Sequence, residues 1–333
     1  MAPLLDVRNL RTYYMTHRGA AKAVDDVSFQ ISQGEFIGLA GESGCGKTTT
    51  AYSILRLIPP PGRIVGGQIF FKGRDLVTMD ENTISKIRGN SISMVFQQAM
   101  SALNPVIKIG EQLTEPILIH RSPVDKKQAV ERSKELFELV GLSVNRLNNY
   151  PFEFSGGMRQ RAIIAMSLTC DPDLVIADEP VTALDVSIQA QIIDLLQTLK
   201  GKINMSMLLI THDLSVIAET CDKIAIMYGG KIVENAGVKS IFKDPIHPYT
   251  KSLIRAIPSM ERGKTKTLFS VPGKPPNLLN QIVGCNFADR CPYAKEICRR
   301  EAPKPEEHGG VACHFADEMK DIDSEQLWDK FID

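Results

Sequence analysis

Glu35-Phe-Ile-Gly-Leu-Ala40-Gly41-Glu-Ser-Gly-Cys-Gly-Lys47-Thr48 decides the fold. Its first six residues form a short, largely apolar run of strand length. Gly41 to Thr48 then meets in full the pattern of a glycine, four residues, Gly-Lys and a hydroxyl residue, and Thr48–Leu57 continues as a helical stretch. Strand, glycine-rich turn and helix in that order are the setting in which this pattern cradles phosphate. The glycines let backbone N–H groups curl round phosphate oxygens, and the helix N-terminus adds partial positive charge. Lys47 is placed to reach terminal phosphates, and the Thr48 hydroxyl to bind Mg²⁺. Ser43, Gly44, Cys45, Gly46 and Thr49 complete the expected nucleotide-binding loop. The competing reading, a chance glycine-rich turn, is weakened by the strand before it and the helix after it.

Further along, Asp173-Leu-Val-Ile-Ala177 and Ser206-Met-Leu-Leu-Ile-Thr211 are two more apolar runs of strand length. Short apolar runs separated by helices indicate a parallel sheet covered on both faces. The first run ends in Asp178-Glu179. A strand delivers Asp178 to the sheet edge, where a carboxylate can hold Mg²⁺ through water, while Glu179 can polarise an attacking water as general base. Lys223–Tyr228, Gly229-Gly230 and Lys231–Glu234 read as a hairpin with a tight turn. Between about 80 and 170 the pattern is mostly helical. Ser122-Pro123 predicts an N-cap with proline at the first helical position, and Val130, Phe137 and Val140 recur at helical spacing. After residue 240 prolines become frequent and strand signals fade, which marks a C-terminal extension.

The chain has 333 residues, 43% hydrophobic and 23% charged, enough for one large or two smaller domains with a packed core. Lys+Arg and Asp+Glu both number 39, a balance that points away from nucleic acid as a partner. There is no run of 18 apolar residues to cross a membrane, and Met1–Leu10 carries Asp6 and Arg8 and does not resemble a secretory signal. The cytoplasm is the expected compartment; to serve a membrane, the protein must dock on another chain that spans it.

Phe154-Ser155-Gly156-Gly157-Met158-Arg-Gln-Arg161 resembles the signature of ABC-transporter ATPases. The family usually has Gln where this chain has Met158, a loss of one side-chain hydrogen bond that leaves Ser155 and the backbone N–H groups. The family's other parts occur in order. Val95-Phe96-Gln97 looks like the glutamine loop that senses Mg²⁺ and the attacking water. Ala183-Leu184-Asp185 is similar to the loop that crosses the dimer interface, and Thr211-His212-Asp213 to the histidine switch on the γ-phosphate. An aromatic near the N-terminus stacks on adenine in this family; Tyr14 fits the register best, with Tyr13 as runner-up. The resemblance covers about residues 4–260. It implies an α/β fold: a RecA-like P-loop NTPase core, an antiparallel β subdomain and a helical subdomain at about 98–170, all within residues 1–255, followed by an extension over 256–333. It also implies a head-to-tail dimer in which Gly41–Thr49 of one subunit and Ser155–Gly157 of the other enclose one ATP. Glu179, His212 and Gln97 would be catalytic, and Thr48, Gln97 and Asp178 would hold Mg²⁺.

Of seven cysteines, Cys45, Cys170 and Cys221 are scattered, whereas Cys285, Cys291, Cys298 and Cys313 cluster, with five, six and fourteen residues between them. In a reducing compartment such a cluster more often binds metal than forms disulfides. The paired spacing usual for structural zinc is missing; four thiolates also suit a 4Fe–4S cluster, and free or disulfide-bonded cysteines remain open. The extension, with His247-Pro-Tyr-Thr250 ahead of it, resembles the tail of the ATPases of dipeptide and oligopeptide (peptide/nickel) importers, some of which carry an iron–sulfur cluster here. The resemblance thus implies a 4Fe–4S cluster, with Zn²⁺ as alternative, and an ATPase on the cytoplasmic face of the membrane that drives peptide uptake. Its implied partners are a second, related ATPase subunit, two transmembrane permease subunits and an extracytoplasmic peptide-binding protein. The rival readings are a nickel or other small-solute importer and an ABC ATPase that serves no transporter. Cys45 reads as a small spacer whose position in the loop could expose it to oxidation.

Overall fold

The computed structural model describes residues 2–97, 102–121, 123–182, 184–257, 269–324 and 327–328. In chain order the elements are β1 Leu5–Thr16, β2 Gly19–Ile31, β3 Phe36–Ala40, α1 Lys47–Ile54, β4 Gly62–Phe71, β5 Arg74–Asp75, α2 Glu81–Ser85, β6 Ile92–Val95, α3 Ile109–His120 and α4 Lys126–Leu139. There follow α5 Gly156–Ser167, β7 Leu174–Asp178, α6 Val186–Lys202, β8 Ser206–Thr211, α7 Leu214–Thr220, β9 Lys223–Tyr228, β10 Lys231–Gly237, α8 Val238–Lys243, α9 Pro248–Arg255, α10 Glu296–Arg300 and α11 Ala316–Lys320. Two compact units share them: one of Met1–Leu4, Ile31–Phe36 and Phe71–Ile210, the other of Leu5–Gln30, Ile37–Phe70 and Thr211–Asp333.

In the first unit, β6, β7 and β8 are adjacent and parallel. Leu174 pairs with Ile92 on one side and Ser206 on the other, and Asp178 pairs with Ile210. Every residue of β7 and β8 is buried, which explains why these strands read as unbroken apolar runs instead of alternating ones. Ile164, Leu168, Leu196 and Leu199 from the helical layer meet Val95, Val175 and Met207 from the strands around one small void.

The helical part of this unit starts differently from the sequence expectation. Ser122 lies outside the described residues, and α4 begins at Lys126, after Pro123. The reason is a reciprocal capping box: Gln128 N–H donates to Asp125 Oδ1 at 2.8 Å while Asp125 N–H donates to Gln128 Oε1 at 3.1 Å, satisfying two donors that a helix start otherwise leaves open. Its buried face is Ala129, Ser133, Leu136 and Phe137, with Val140 at the C-cap; Val130 is only half-buried.

In the second unit, β10 and β9 form the antiparallel hairpin, and β9 pairs with β3 in parallel. The hairpin outruns its expected end at Glu234 and continues to Gly237, past an irregularity between Ile232 and Glu234. Strands β2, β1 and β4 lie side by side in a separate sheet. Helix α1 sits on β1, where Thr12 Oγ1 and Ser53 Oγ share a buried hydrogen bond of 2.7 Å. It stops at Ile54, short of the expected Leu57. Arg56 turns left-handed at φ +52, its N–H returning to the Ser53 carbonyl at 3.1 Å and the Leu57 N–H to the Tyr52 carbonyl at 2.8 Å, which is a Schellman ending.

The C-terminal extension docks on the hairpin. Ala312 N–H donates to Val233 O at 2.8 Å and Asn235 N–H to Gly310 O at 3.2 Å. The buried Glu234 carboxylate accepts the N–H groups of Ile246 and His247, each at 2.9 Å, and Trp328 Nε1 donates to Ser252 Oγ at 2.9 Å. Among the described residues no helix is long and apolar enough to cross a membrane.

Candidate functional site

The loop of the second unit is a cradle built on two glycines that no other residue could replace unstrained. Gly41 has φ +151, and a Cβ there would stand 2.1 Å from the Met227 carbonyl oxygen. Gly46, the N-cap of α1, has φ +108, and a Cβ would stand 2.1 Å from the Ala23 carbonyl oxygen. Both contacts lie far inside van der Waals distance, so the backbone can follow this path only without side chains. Ser43 and Gly44 are exposed at the apex, while Cys45, Gly46 and Lys47 are buried and Thr48 and Thr49 half-buried.

Lys47 lies inside the loop. Its ammonium donates to Gly41 O at 2.7 Å and Glu42 O at 3.1 Å, and the residue is only 7% exposed. A buried ammonium held by carbonyl dipoles is positioned without any counter-charge spent on it by these contacts, which suits it to an incoming phosphate. Burial pushes the Cys45 thiol up from its ordinary range against the opposing charge of Lys47. A thiol kept protonated fits the spacer role and argues against the oxidation sensitivity its position suggested.

Also in the second unit, Tyr13 and Tyr14 part company. The Tyr13 hydroxyl donates to Asp25 Oδ1 at 2.5 Å, and burial together with that bond pushes its pKa up to about 12. The Tyr14 ring instead lies against Gly62, where a Cβ would come within 2.7 Å of it. His212 is exposed just after β8, with Asp213 capping α7 through a 2.9 Å bond from Ser215 N–H.

The first unit carries the remaining candidates. Asp178 ends β7, fully buried. Glu179 follows in a left-handed conformation at φ +53, its N–H donating to Ile210 O at 2.8 Å and its Oε2 accepting from the Thr182 hydroxyl at 2.6 Å. Non-glycine residues held in this region cluster at functional sites. Gln97 is exposed in the turn after β6; residues 98–101, which would continue that loop, and Ala183 lie outside the described residues. Ser155 is the N-cap of α5, its Oγ accepting from Met158 N–H at 3.3 Å. Gly157 is packed so closely that a Cβ would stand 2.7 Å from Ile188 Cγ2, which leaves the exposed Ser155 and the half-buried Gly156 at the helix tip.

Cys285, Cys291, Cys298 and Cys313 border one small, almost wholly apolar cavity in the second unit, shared with Phe287 and Met319. Burial pushes the Cys285 and Cys313 thiols up to about 11 and the Cys291 thiol up to about 12, with repulsion from neighbouring thiols adding to it. Among the described residues no three His, Cys, Asp or Glu side chains converge as a single metal ion would need. His247 borders the same cavity and is held neutral by burial, its pKa pushed down to about 3.

Three residues beside the candidate groups, two of them at the loop, escaped the sequence reading. Tyr249 OH accepts the Glu42 N–H at 2.9 Å, and Arg290 grips the Glu42 carboxylate. Thr182, which holds Glu179, is the third in the chemistry's vicinity within its unit. Tyr249 and Arg290 stand inside stretches already conspicuous for their resemblance or their cysteines, but nothing local in sequence ties either to residue 42.

Comparison with known proteins agrees with this geometry. The ABC transporter family profile matches residues 24–182, and the oligopeptide/dipeptide transporter C-terminal region matches residues 233–298. A probable peptide ABC transporter ATP-binding protein, y4tR of Sinorhizobium fredii, is 48% identical over 303 residues, 90% of each chain. The oligopeptide transport ATP-binding protein AppD of Bacillus subtilis is 46% identical over 306 residues, 91% of this chain and 93% of that one. OppD of Escherichia coli is 44% identical over 305 residues, 91% and 90%. A solved dimeric ATP-binding cassette in a post-hydrolysis state, bound to ADP and Pi, is similar at a TM-score of 0.63 and 26% identity, over 70% of this chain and 98% of that one. With a phosphate cradle, an acidic strand end, a serine–glycine helix tip and relatives matched along nine-tenths of their length, the chain belongs to the ABC transporter ATP-binding family.

Proposed function

We propose that this chain is the ATP-hydrolysing subunit of an importer for dipeptides or oligopeptides, working at the cytoplasmic face of the membrane. The observation that carries the reading is the union in one chain of an ABC cassette with the oligopeptide/dipeptide transporter C-terminal region. The names of the 44–48% identical relatives agree with it. The tail also weighs against an ABC ATPase that serves no transporter, and the printed names of the relatives favour peptides over nickel or another small solute, whose importers share this kind of tail.

In this reading residues 1–255 are the nucleotide-binding domain, with a helical subdomain at about 98–170, and residues 256–333 are the tail. Gly41 to Thr49 hold the triphosphate of ATP, with Lys47 on its terminal phosphates and Tyr14 against adenine. Thr48, Gln97 and Asp178 provide oxygen ligands for Mg²⁺, whose charge offsets that of the phosphates. Glu179 takes the proton of the attacking water, and His212 and Gln97 orient the γ-phosphate and that water. Ser155, Gly156 and Gly157 of a second, related ATPase subunit close over the nucleotide, so that affinity between subunits depends on ATP. Hydrolysis removes that bridge and drives two permease subunits supplied by an extracytoplasmic peptide-binding protein.

The four-cysteine cavity suits a 4Fe–4S cluster better than a single zinc ion. Zinc requires sulfurs that meet about 2.3 Å from one point. Four thiolates are the ligand set of a 4Fe–4S cluster, and Cys285, Cys291, Cys298 and Cys313, which border one cavity, are the residues that would hold it. Bound there, the cluster would staple a proline-rich tail that buries little core of its own.

Co-reconstitution with its permease pair and the second ATPase subunit in liposomes, with the peptide-binding protein on the extracytoplasmic side, tests the function. ATP-dependent accumulation of a labelled oligopeptide, with none of nickel, is expected; nickel uptake without peptide uptake would select the rival reading.

A further inference from the structure

Arg290 stands directly before Cys291 in the tail, 248 residues from Glu42 in the phosphate loop. All five of its N–H donors are used. Nε donates to Pro272 O at 2.8 Å, Nη1 to Glu42 Oε2 at 2.9 Å and Tyr228 OH at 3.1 Å, and Nη2 to Glu42 Oε1 at 3.0 Å and Val271 O at 2.9 Å. The grip on Glu42 is the bidentate fork that guanidinium and carboxylate form best. Its side chain is only 6% exposed and that of Glu42 25%, so the pair is largely removed from solvent screening.

Two further bonds hold the same loop. Glu42 N–H donates to Tyr249 OH at 2.9 Å, and Cys45 O accepts from Gly230 N–H at 3.0 Å. The turn that supplies Gly230 is itself held by the tail, since Asn286 Nδ2 donates to Gly229 O at 2.6 Å. Phe287 packs against both Tyr228 and Tyr249, with ring centroids 5.1 and 5.4 Å apart.

An acidic side chain is a poor neighbour for a triphosphate. Left unpaired, Glu42 would repel the anion the loop is shaped for; paired, it becomes a handle by which the loop is held. We propose that Arg290 sets the electrostatics of the nucleotide site: by neutralising Glu42, the C-terminal tail removes a repulsive charge from the phosphate loop, and so sets the affinity for ATP. This rests on Gly41–Thr49 being the ATP loop.

The test is titration of the purified full-length protein with a fluorescent ATP analogue, alongside steady-state ATPase kinetics, for Arg290→Gln, Arg290→Lys, Glu42→Gln, the Glu42→Gln/Arg290→Gln pair and Lys47→Ala. Arg290→Gln should weaken ATP binding about tenfold, the size of one modest charge–charge interaction, and raise KM while kcat at saturating ATP stays within about twofold. Arg290→Lys should fall between it and the wild type. The double variant should regain most of the lost affinity, because no unpaired carboxylate remains. A purely structural arginine would leave the double variant as weak as the single one, and that result, or wild-type affinity in Arg290→Gln, would overturn the proposal. Should Arg290→Gln not fold, Glu42→Gln decides: it should bind ATP at least as tightly as the wild type, and a tenfold loss refutes the neutralisation argument. Lys47→Ala keeps the two readings apart, since unchanged binding there means the loop is not the ATP site at all.

Discussion

Glu179→Gln separates chemistry from fold at the acidic strand end. Glu179 holds a left-handed conformation at φ +53 and accepts the Thr182 hydroxyl at 2.6 Å. Glutamine keeps the backbone, the volume and an oxygen for Thr182, so folding stability should change by less than about 0.5 kcal/mol. A general base is worth roughly 10²–10⁴ in rate, so turnover should fall by about 2.7–5.4 kcal/mol of barrier, with nucleotide retained. Two companion substitutions sharpen the comparison. Alanine keeps the left-handed strain and loses the Thr182 bond, and should cost about 1 kcal/mol of stability. Glycine loses the same bond but relieves roughly 1–2 kcal/mol of left-handed strain, and should match or slightly exceed the wild type. All three should be nearly inactive while their stabilities rank Gly ≥ Gln > Ala. Phosphate release at saturating ATP, nucleotide retention after gel filtration and urea denaturation provide the readouts. Wild-type turnover in Glu179→Gln would refute the base assignment, and an alanine variant as stable as the glycine one would refute the strain argument.

Other outcomes follow from the same geometry. Tyr14→Ala should weaken ATP binding by roughly 1–3 kcal/mol, the worth of one base–aromatic stack, whereas Tyr13→Ala should leave it nearly unchanged because the Tyr13 hydroxyl ties that side chain to Asp25; titration with ATP distinguishes the two, and the reverse order would make Tyr13 the stacking ring. Gly46→Ala drives a Cβ to 2.1 Å from the Ala23 carbonyl oxygen, and should cost about 1–3 kcal/mol or more, read as a lower melting temperature or a displaced loop with weakened ATP binding. Anaerobically purified protein should contain iron and acid-labile sulfide, and Cys298→Ala should lose both together with its visible absorbance and expose the tail to protease; a colourless wild type loaded with zinc would contradict the cluster.

The shape of the candidate nucleotide loop was legible in sequence because its determinants are local. A strand, glycines at positions that exclude side chains and a lysine inside the turn all occur within Phe36–Ile54. Strands β7 and β8 were equally plain, since a strand buried on both faces must be apolar throughout. Boundaries failed where a small local competition decided them. The Asp125–Gln128 capping box moved the start of α4 past Pro123, and left-handed Arg56 ended α1 before Leu57. What could not be read was the attachment of the tail to the loop. Arg290 and Glu42 carry no motif, and only the folded chain brings 248 residues of separation to a 2.9 Å contact. Likewise, spacing alone did not say that four cysteines would border one cavity.

The central claim is that Lys47 and the glycine cradle around it grip the triphosphate of ATP. Calorimetric titration of the wild type and Lys47→Ala with Mg-ATP tests it most directly. The account predicts one site per chain in the wild type and a loss of at least about tenfold in the variant, the least that removing a charge-assisted phosphate contact should cost. Identical isotherms for the two proteins, or no heat of binding in either, would contradict it.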